Sequence, residues 1–408
     1  TGEETILPDK AFVKGDIVSI TVDTVNKKLG FKIGGSGVNQ TLPPQIRSFS
    51  VTSGNAENTL SWLLPVDTSA YEGLVIVRKV GSAPTKLSDG TKISLSKTAT
   101  SYTDTNVVND TKYYYRAFPY NAKKQYQTEL TGAVAWGTPK AGIPVSSLPV
   151  GTLIKDVNTK YYGVPIVWKI ADQNHTDYPQ NSTTLISDKI LTLKCFDGKE
   201  PSYPNEWRKK YGNIRQWLNS NANAGDWYLS QHSYDAPPNN SNTTCNAYDT
   251  QSGFINAFSN KFVNNLLTTT LVVAKNTSTD GGGSETLTDK IFLASRTEVG
   301  LENENGVSEG AKLSLFSDNN SRISKVTEEC VTNSDCTNIQ EPDTPWMWWL
   351  RTPYTITSHT VRCIIADGSL YGNSAYYGYY GVRPLCNIKN DTLVSLQPDT
   401  DGAYIIQF

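Results

Sequence analysis

The sequence is short of charge. Of its 408 residues only 19 % are Asp, Glu, Lys or Arg, and 37 cationic against 39 anionic side chains leave a formal net charge of -2. With no basic block there is no electrostatic footprint for nucleic acid or an anionic membrane surface. No apolar run approaches the roughly 20 residues of a membrane-spanning helix, so membrane insertion is not expected. The lone methionine is Met347 and residue 1 is Thr, which reads as a processed product or a C-terminal fragment. Six cysteines, at 195, 245, 330, 336, 363 and 386, are too sparse for a disulfide scaffold. No C-x-x-C pair suggests zinc or dithiol chemistry. Cys330 and Cys336 could bridge a short loop, and the redox compartment is left open. His175, His232 and His359 are scattered without metal-ligand spacing and read as surface residues. Gly-x-Ser-x-Gly, His-Glu-x-x-His and the phosphate loop are all missing. The expectation is therefore no enzyme activity, no cofactor and no metal.

What is present is 22 Tyr, 9 Trp, 30 Gly and much Asn, Ser and Thr, a composition suited to β-rich, loop-rich domains. The length argues for two or three of them. Residues 1–42 hold an alternating stretch up to Val22, then Lys27–Ile33 and the flexible Gly34-Gly35-Ser36-Gly37. Two strands and a linker are expected there, too little to bury a core alone, hence a stalk or oligomerisation segment.

Residues 43–140 open on Pro43-Pro44 and carry short strand signals at Ile46–Val51, Thr59–Leu64, Leu74–Val80, Lys112–Tyr120 and Gly132–Trp136. Such spacing predicts a β-sandwich. The Pro-Pro entry, Leu60-Ser61-Trp62, Tyr102-Thr103-Asp104 and Asn109–Ala117 resemble a fibronectin type III domain. That resemblance makes Trp62 the core tryptophan and Tyr113 the tyrosine-corner residue. Such domains serve as spacers and binding modules and say little about chemistry.

Residues 141–408 form the third region, after the linker Thr138–Pro144. Ile166–Ile170 and Thr184–Ile186 read as strands. Ile214, Trp217 and Leu218 mark one amphipathic helix, and Phe254, Phe258, Phe262 and Leu266 a stronger one. Ser295–Glu298 has capping-box spacing before a short helix. The fold expected here is α+β with few helices. Gly281-Gly282-Gly283 reads as a loop. Glu341-Pro342-Asp343 resembles the calcium and sugar-binding tripeptide of animal C-type lectins, but calcium needs more carboxylates than can be placed. Sequons occur at Asn181, Asn242 and Asn276.

Trp346 to Ile388 is the informative stretch. Trp348 and Trp349 read as core. From Tyr371 to Tyr380 five of ten residues are Tyr, the rest Gly, Asn, Ser and Ala, the vocabulary of antibody paratopes. No clean period of two favours a strand packed on the core, so an exposed binding surface is expected. Lys, Glu, Gln, Met and Trp make up close to one residue in six of the chain, yet none occurs from Arg351 to Ile388. These five are the residues that substituting the two adenines of an Asn AAC codon cannot produce. The pattern is what an adenine-mutagenised cassette of a diversity-generating retroelement would leave, and an ordinary uncharged loop region would give it too.

Gly212–Asn219, Asp289–Leu293 with Glu298-Val299, Trp348–Pro353, Asp367-Gly368 and Gly381–Pro384 resemble, in order, a family of domains common in phages and prophages of Gram-positive gut bacteria. That family is similar to the C-type-lectin-like fold, shared with formylglycine-generating proteins and retroelement-diversified phage receptor-binding proteins. The resemblance implies that Trp348, Trp349, Arg351, Arg383 and Pro384 are scaffold. It implies ligand contacts at Thr357, Ser358, His359, Thr360, Cys363, Tyr371, Asn373, Ser374, Tyr376, Tyr377, Tyr379 and Tyr380. Cys363 would then carry a free thiol rather than a bridge to Cys386. No residues match the cysteine pair of the formylglycine-generating enzymes, so that activity is not carried over. The expected function is host attachment by the receptor-binding part of a phage tail fibre or tail-tip protein, a homotrimer in the virion. Its partners would be a bacterial cell-surface receptor, protein or glycan, and other tail proteins. A bacterial surface adhesin or lectin is the alternative, and a glycan-acting enzyme the third.

Overall fold

The computed structural model describes residues 17–23, 28–34, 42–128, 133–200, 212–230, 236–278, 280–304 and 306–408. The chain divides into two compact units, Thr1–Ala141 and Gly142–Phe408. In the first, Ile17–Asp23 and Lys28–Gly34 pair antiparallel, with Ile17 opposite Gly34 and Asp23 opposite Lys28. The Gly35–Gly37 part of the linker lies outside the described residues.

Residues 42–141 fold as a sandwich of two antiparallel sheets. One orders Arg47–Gly54, Glu57–Leu63 and Ser101–Asp104; the other orders Thr91–Leu95, Gly73–Val80, Tyr113–Tyr120 and Val134–Gly137. Along Glu57–Leu63 the pleat sends Asn58, Leu60 and Trp62 inward, as a period of two requires. Trp62 packs in the core with Leu74, Ile76 and Tyr115. The Tyr113 hydroxyl accepts the Val108 N–H at 3.0 Å, pinning the chain just before its strand. A buried polar bridge joins the sheets: Asn58 Nδ2 donates to Tyr115 Oη (3.0 Å), which donates to Asp104 (3.1 Å), which pairs with Arg78 (2.7 Å).

The second unit is built on a large sheet in the order Ile143–Pro144, Leu393–Val394, Tyr404–Gln407, Leu153–Tyr161, Val164–Gln173, Ser182–Ser187, Leu385–Lys389, Leu266–Leu267. A second sheet orders Thr192–Leu193, Gly381–Val382, Trp348–Pro353, Thr360–Ile364 and Leu370–Ser374. Strands dominate, and the helices are single turns or little more. Ser182–Ser187 and Trp348–Pro353 are buried on both faces. Alternate residues serve two separate cores: Leu185, Trp349 and Cys386 face one, while Ile186, Trp348, Leu350 and Leu385 face the other.

The structure departs from the sequence-based expectations at several points. Asn213–Leu218 is helical as expected, but the Phe254–Leu266 helix is broken. Phe254–Ala257 is a 3-10 turn, Asn260–Asn265 a short α-helix, and Leu266 opens a strand. Ser259 causes the break: extended at ψ 141, it caps Phe262 N–H, and its hydroxyl donates to Asp156 at 2.5 Å. Phe254, Phe258 and Phe262 still meet edge to face in the core, at 5.0 and 5.6 Å. At Ser295 and Glu298 both capping-box bonds form, at 2.9 and 3.1 Å, around a turn rather than a helix, because Gly300 at φ +77 redirects the chain. Cys336 bonds to Cys245, not Cys330. Cys330 instead packs in the second core, on the helix Glu328–Thr332. His175 is buried against Tyr178, its Nε2 at 3.0 Å from the Ala311 carbonyl, so it is not a surface residue. His232 lies outside the described residues.

Candidate binding face

Trp348–Pro353, Thr360–Ile364 and Leu370–Ser374 form an antiparallel meander, with Trp349 opposite Cys363 and Cys363 opposite Tyr371. Strand alternation carries Val361 and Cys363 into the core beside Trp349. The chain then turns through Ala375 to Tyr380 and delivers a run of rings. Tyr380 stacks on Trp349 at 4.1 Å, Tyr379 on Tyr380 at 5.2 Å and Tyr377 on Tyr379 at 5.1 Å. Tyr376 tilts against Tyr377 at 4.8 Å, with Lys199 Nζ 5.6 Å from its ring centre. The ladder thus climbs from a fully buried tryptophan to half-buried phenols. Burial raises the Tyr380 and Tyr379 phenols, and a bond to Tyr376 raises Tyr377. The Tyr377, Tyr379 and Tyr380 phenols are therefore neutral hydroxyls at physiological pH.

The loop bearing the rings is held from both ends. At its inner end Phe196 N–H donates to Ala375 O (2.7 Å), Lys194 N–H to Tyr380 O (2.9 Å) and Trp349 Nε1 to Lys194 O (2.9 Å). At its outer end Thr243 Oγ1 donates to Tyr376 O (3.0 Å), Gly378 N–H to Thr244 Oγ1 (2.9 Å) and Asn246 Nδ2 to Gly378 O (2.9 Å). A Cβ on Gly378 would lie 1.8 Å from the Cys245 carbonyl oxygen, so only glycine allows this approach.

Of the twelve expected contact residues, Tyr371 is 53 % exposed, and Thr357, Ser358, His359, Thr360, Asn373, Ser374, Tyr376, Tyr377 and Tyr379 are half-buried. Cys363 and Tyr380 are corrected to core. Cys363 is fully buried, its thiol pushed up to about 12 by that burial, and Tyr380 is sealed between Trp349, Tyr379 and Asn373, whose Nδ2 donates to its hydroxyl at 2.7 Å. Cys363 and Cys386 are free thiols.

The five scaffold residues are buried and bonded inward. Trp348 Nε1 donates to Arg322 O at 3.1 Å, and Arg383 Nε to Ser187 O at 3.0 Å. The Pro384 carbonyl accepts Ser187 N–H at 2.9 Å. Arg351 grips Glu298 with two bonds, 2.6 and 2.7 Å, and also donates to the carbonyls of Leu293 and Glu309. Tyr178 completes the Glu298 site at 2.5 Å.

Sequence reasoning missed Lys194. Its side chain is buried 5.0 Å from the Trp217 ring centre and 4.7 Å from that of Tyr248, with Nζ donating to Gln251 Oε1 at 2.7 Å. Among the described residues it has no ion-pair partner, and burial pulls it down to about 7. A lysine between two apolar residues, Leu193 and Cys195, was the available signal.

Other motifs resolve plainly. Gly281–Gly283, all at positive φ, turn the hairpin between Thr269–Ala274 and Ser284–Asp289 and lead into a strand rather than a helix. Asp343 pairs with Lys189 at 2.5 Å and borders a cleft of about 420 Å³. In that cleft Asp188 and Asp401 are likewise in lysine pairs, with Lys169 and Lys155. Cys245, Cys336 and Asp335 converge within 4.8 Å, but the sulfurs are joined to each other and offer no thiolate to a metal.

No curated protein matches the chain. Solved structures similar to it include a computationally redesigned β-sandwich protein (22 % identity, 24 % of this chain and 95 % of that one, TM-score 0.20). They also include the fibronectin type III domains of human collagen XX (18 %, 23 % and 90 %, TM-score 0.19) and human contactin 1 (18 %, 26 % and 92 %, TM-score 0.21). Residues 180–390, which span the meander, the ring ladder and the clamping loops, match the model of the DUF6273 domain of unknown function. That match takes in just over half of the 408 residues, and the chain belongs to the DUF6273 family.

Proposed function

We propose that this chain recognises a bacterial cell-surface receptor without catalysis, as the receptor-binding part of a phage tail fibre or tail-tip protein. The observation that carries the reading is the ring ladder: phenols presented from a buried tryptophan, on a loop bonded at both ends, among neutral Thr, Ser and Asn side chains. Tyrosine supplies contact area at little rotamer cost, and a preorganised loop lowers the ordering cost of binding. In this proposal the second unit is a C-type-lectin-like frame, the first a stalk, and trimerisation in the virion multiplies modest single-site affinity.

The experiment is to add the full chain to host cells before phage and count adsorbed particles. Saturable binding that blocks adsorption supports the reading; absence of binding to cells that the phage infects refutes it. The retroelement origin has its own test in sequences of this locus across one population. Substitutions should gather at the solvent-facing positions between 355 and 380 and spare Cys363 and Tyr380. Uniform variation along the chain would sink the cassette.

A further inference from the structure

The outer half of the ring ladder is only partly buried, with Tyr377 and Tyr379 packed against the edge of the core, and its loop also rests on two segments that a disulfide joins. Thr243, Thr244 and Asn246 hold Tyr376 and Gly378 through side-chain bonds. Asn246 is tied in turn to the Ser334–Cys336 segment: its N–H donates to Asp335 Oδ1 (2.6 Å), Asp335 N–H donates back to its Oδ1 (3.0 Å), and its Nδ2 lies 3.1 Å from Cys336 Sγ. The Cys245–Cys336 bond fastens these segments, which are 91 residues apart in the chain. The inner end of the ladder is independent of that bond, since Tyr380 is stacked on Trp349 and bonded through its backbone to Lys194.

We propose that Cys245–Cys336 is a redox-sensitive clamp, so that a dithiol reductant loosens Tyr376–Gly378 while leaving the rest of the unit folded. As regulation of receptor binding this rests on the function proposed above. Cys245 is the more exposed partner, and Cys336 is 8 % exposed. A thiolate of the reductant attacks Cys245 Sγ, the S–S bond breaks, and Cys336 leaves as a thiolate facing the Asn246 amide. The second thiol of the reductant then displaces Cys245, forming the reductant's own disulfide. Two electrons and two protons end on the protein as two thiols. The other four cysteines are buried thiols, and burial raises their pKa, so they remain poor nucleophiles.

The test is amide hydrogen exchange on the full chain, oxidised, treated with dithiothreitol, and as the C245S/C336S variant. Exchange at Tyr376–Gly378 should rise about tenfold or more in both altered forms, while Trp348–Pro353 stays protected. Unchanged exchange at Tyr376–Gly378, or an equal rise across Trp348–Pro353, overturns the clamp. Host-cell binding measured on the same samples keeps the two readings apart. Reduction should weaken binding at least about tenfold. A chain that binds in neither state refutes the receptor reading and leaves the exchange result to decide the clamp. Equal binding in both states refutes the regulatory role.

Discussion

Replacing Lys194 with Met should flatten the pH dependence of folding stability between pH 7 and 8.5. In the folded chain burial holds the ammonium at about 7, and two aromatic rings with one amide oxygen are its company. In the unfolded chain the same group titrates near ~10.4. Between those values the unfolded state binds more protons, so stability rises with pH. From pH 7 to 8.5 the ammonium contributes about 1.6 kcal/mol, the slope rising toward roughly 1.4 kcal/mol per unit as the folded group loses its proton. Above pH 8.5 the buried thiols Cys195 and Cys330, pushed up to about 12, act in the opposite sense. Their stabilisation is lost as pH passes the ordinary thiol value, which sets the upper edge of the window. The assay is urea unfolding of the oxidised chain at pH 7, 7.7 and 8.5, followed by pulse-labelled exchange in the Asn213–Leu218 helix, which carries Trp217. Wild type should gain about 1.6 kcal/mol more than Lys194→Met across the window, the thiol contribution being common to both. Equal slopes in the two proteins would refute the buried-ammonium reading.

Three further outcomes follow from the packing. Arg351→Met strands the Glu298 carboxylate in the core and should destabilise the second unit by about 3–5 kcal/mol, read by urea unfolding; R351M/E298M should recover part of it, and an additive double variant would contradict the pairing. Gly378→Ala drives a methyl into the Cys245 carbonyl and should cost about 1–3 kcal/mol in the same assay, with faster exchange confined to the tyrosine loop; wild-type behaviour would mean the loop is not clamped there. Expressed in a glycosylating cell, the folded chain should carry glycan at exposed Asn181 and none at Asn276, which is fully buried with its amide donating to the Tyr354 and Thr357 carbonyls. Occupancy at Asn276, found by peptide mass spectrometry of native protein, would contradict that packing.

How far the sequence reached depended on whether the governing interaction was local. Alternation in Glu57–Leu63 and the β-favouring Thr184–Ile186 inside Ser182–Ser187 mark strands within their own residues, and both were legible. The Phe254–Phe262 spacing was legible as a core stripe but not as a broken helix, because the break is imposed by Asp156, about a hundred residues away. Cys336 sits six residues from Cys330, yet the fold brings Cys245 to it instead. At the candidate face, composition marked the tyrosines as a cluster, and four of them stack or tilt against one another. It could not separate Tyr380 from its neighbours, since its burial follows from Trp349 stacking and the Lys194 backbone, both set by long-range pairing. The clamp residues Thr243, Thr244 and Asn246 carry no chemical signature; only their contact with a glycine inside the tyrosine run gives them a role.

The central claim is that the outward rings, and not the ladder's buried foot, engage the receptor. The most direct measurement is the affinity of the full chain for host cells, comparing Tyr371→Ala, Tyr377→Ala and Y371A/Y377A with wild type and with Lys112→Ala on the first unit. At about 1–2 kcal/mol for a tyrosine anchor, each single variant should lose roughly 5–30-fold in affinity and the double variant more, while unfolding midpoints stay close to wild type and Lys112→Ala binds normally. Full affinity in Y371A/Y377A, with the fold intact, would contradict the account.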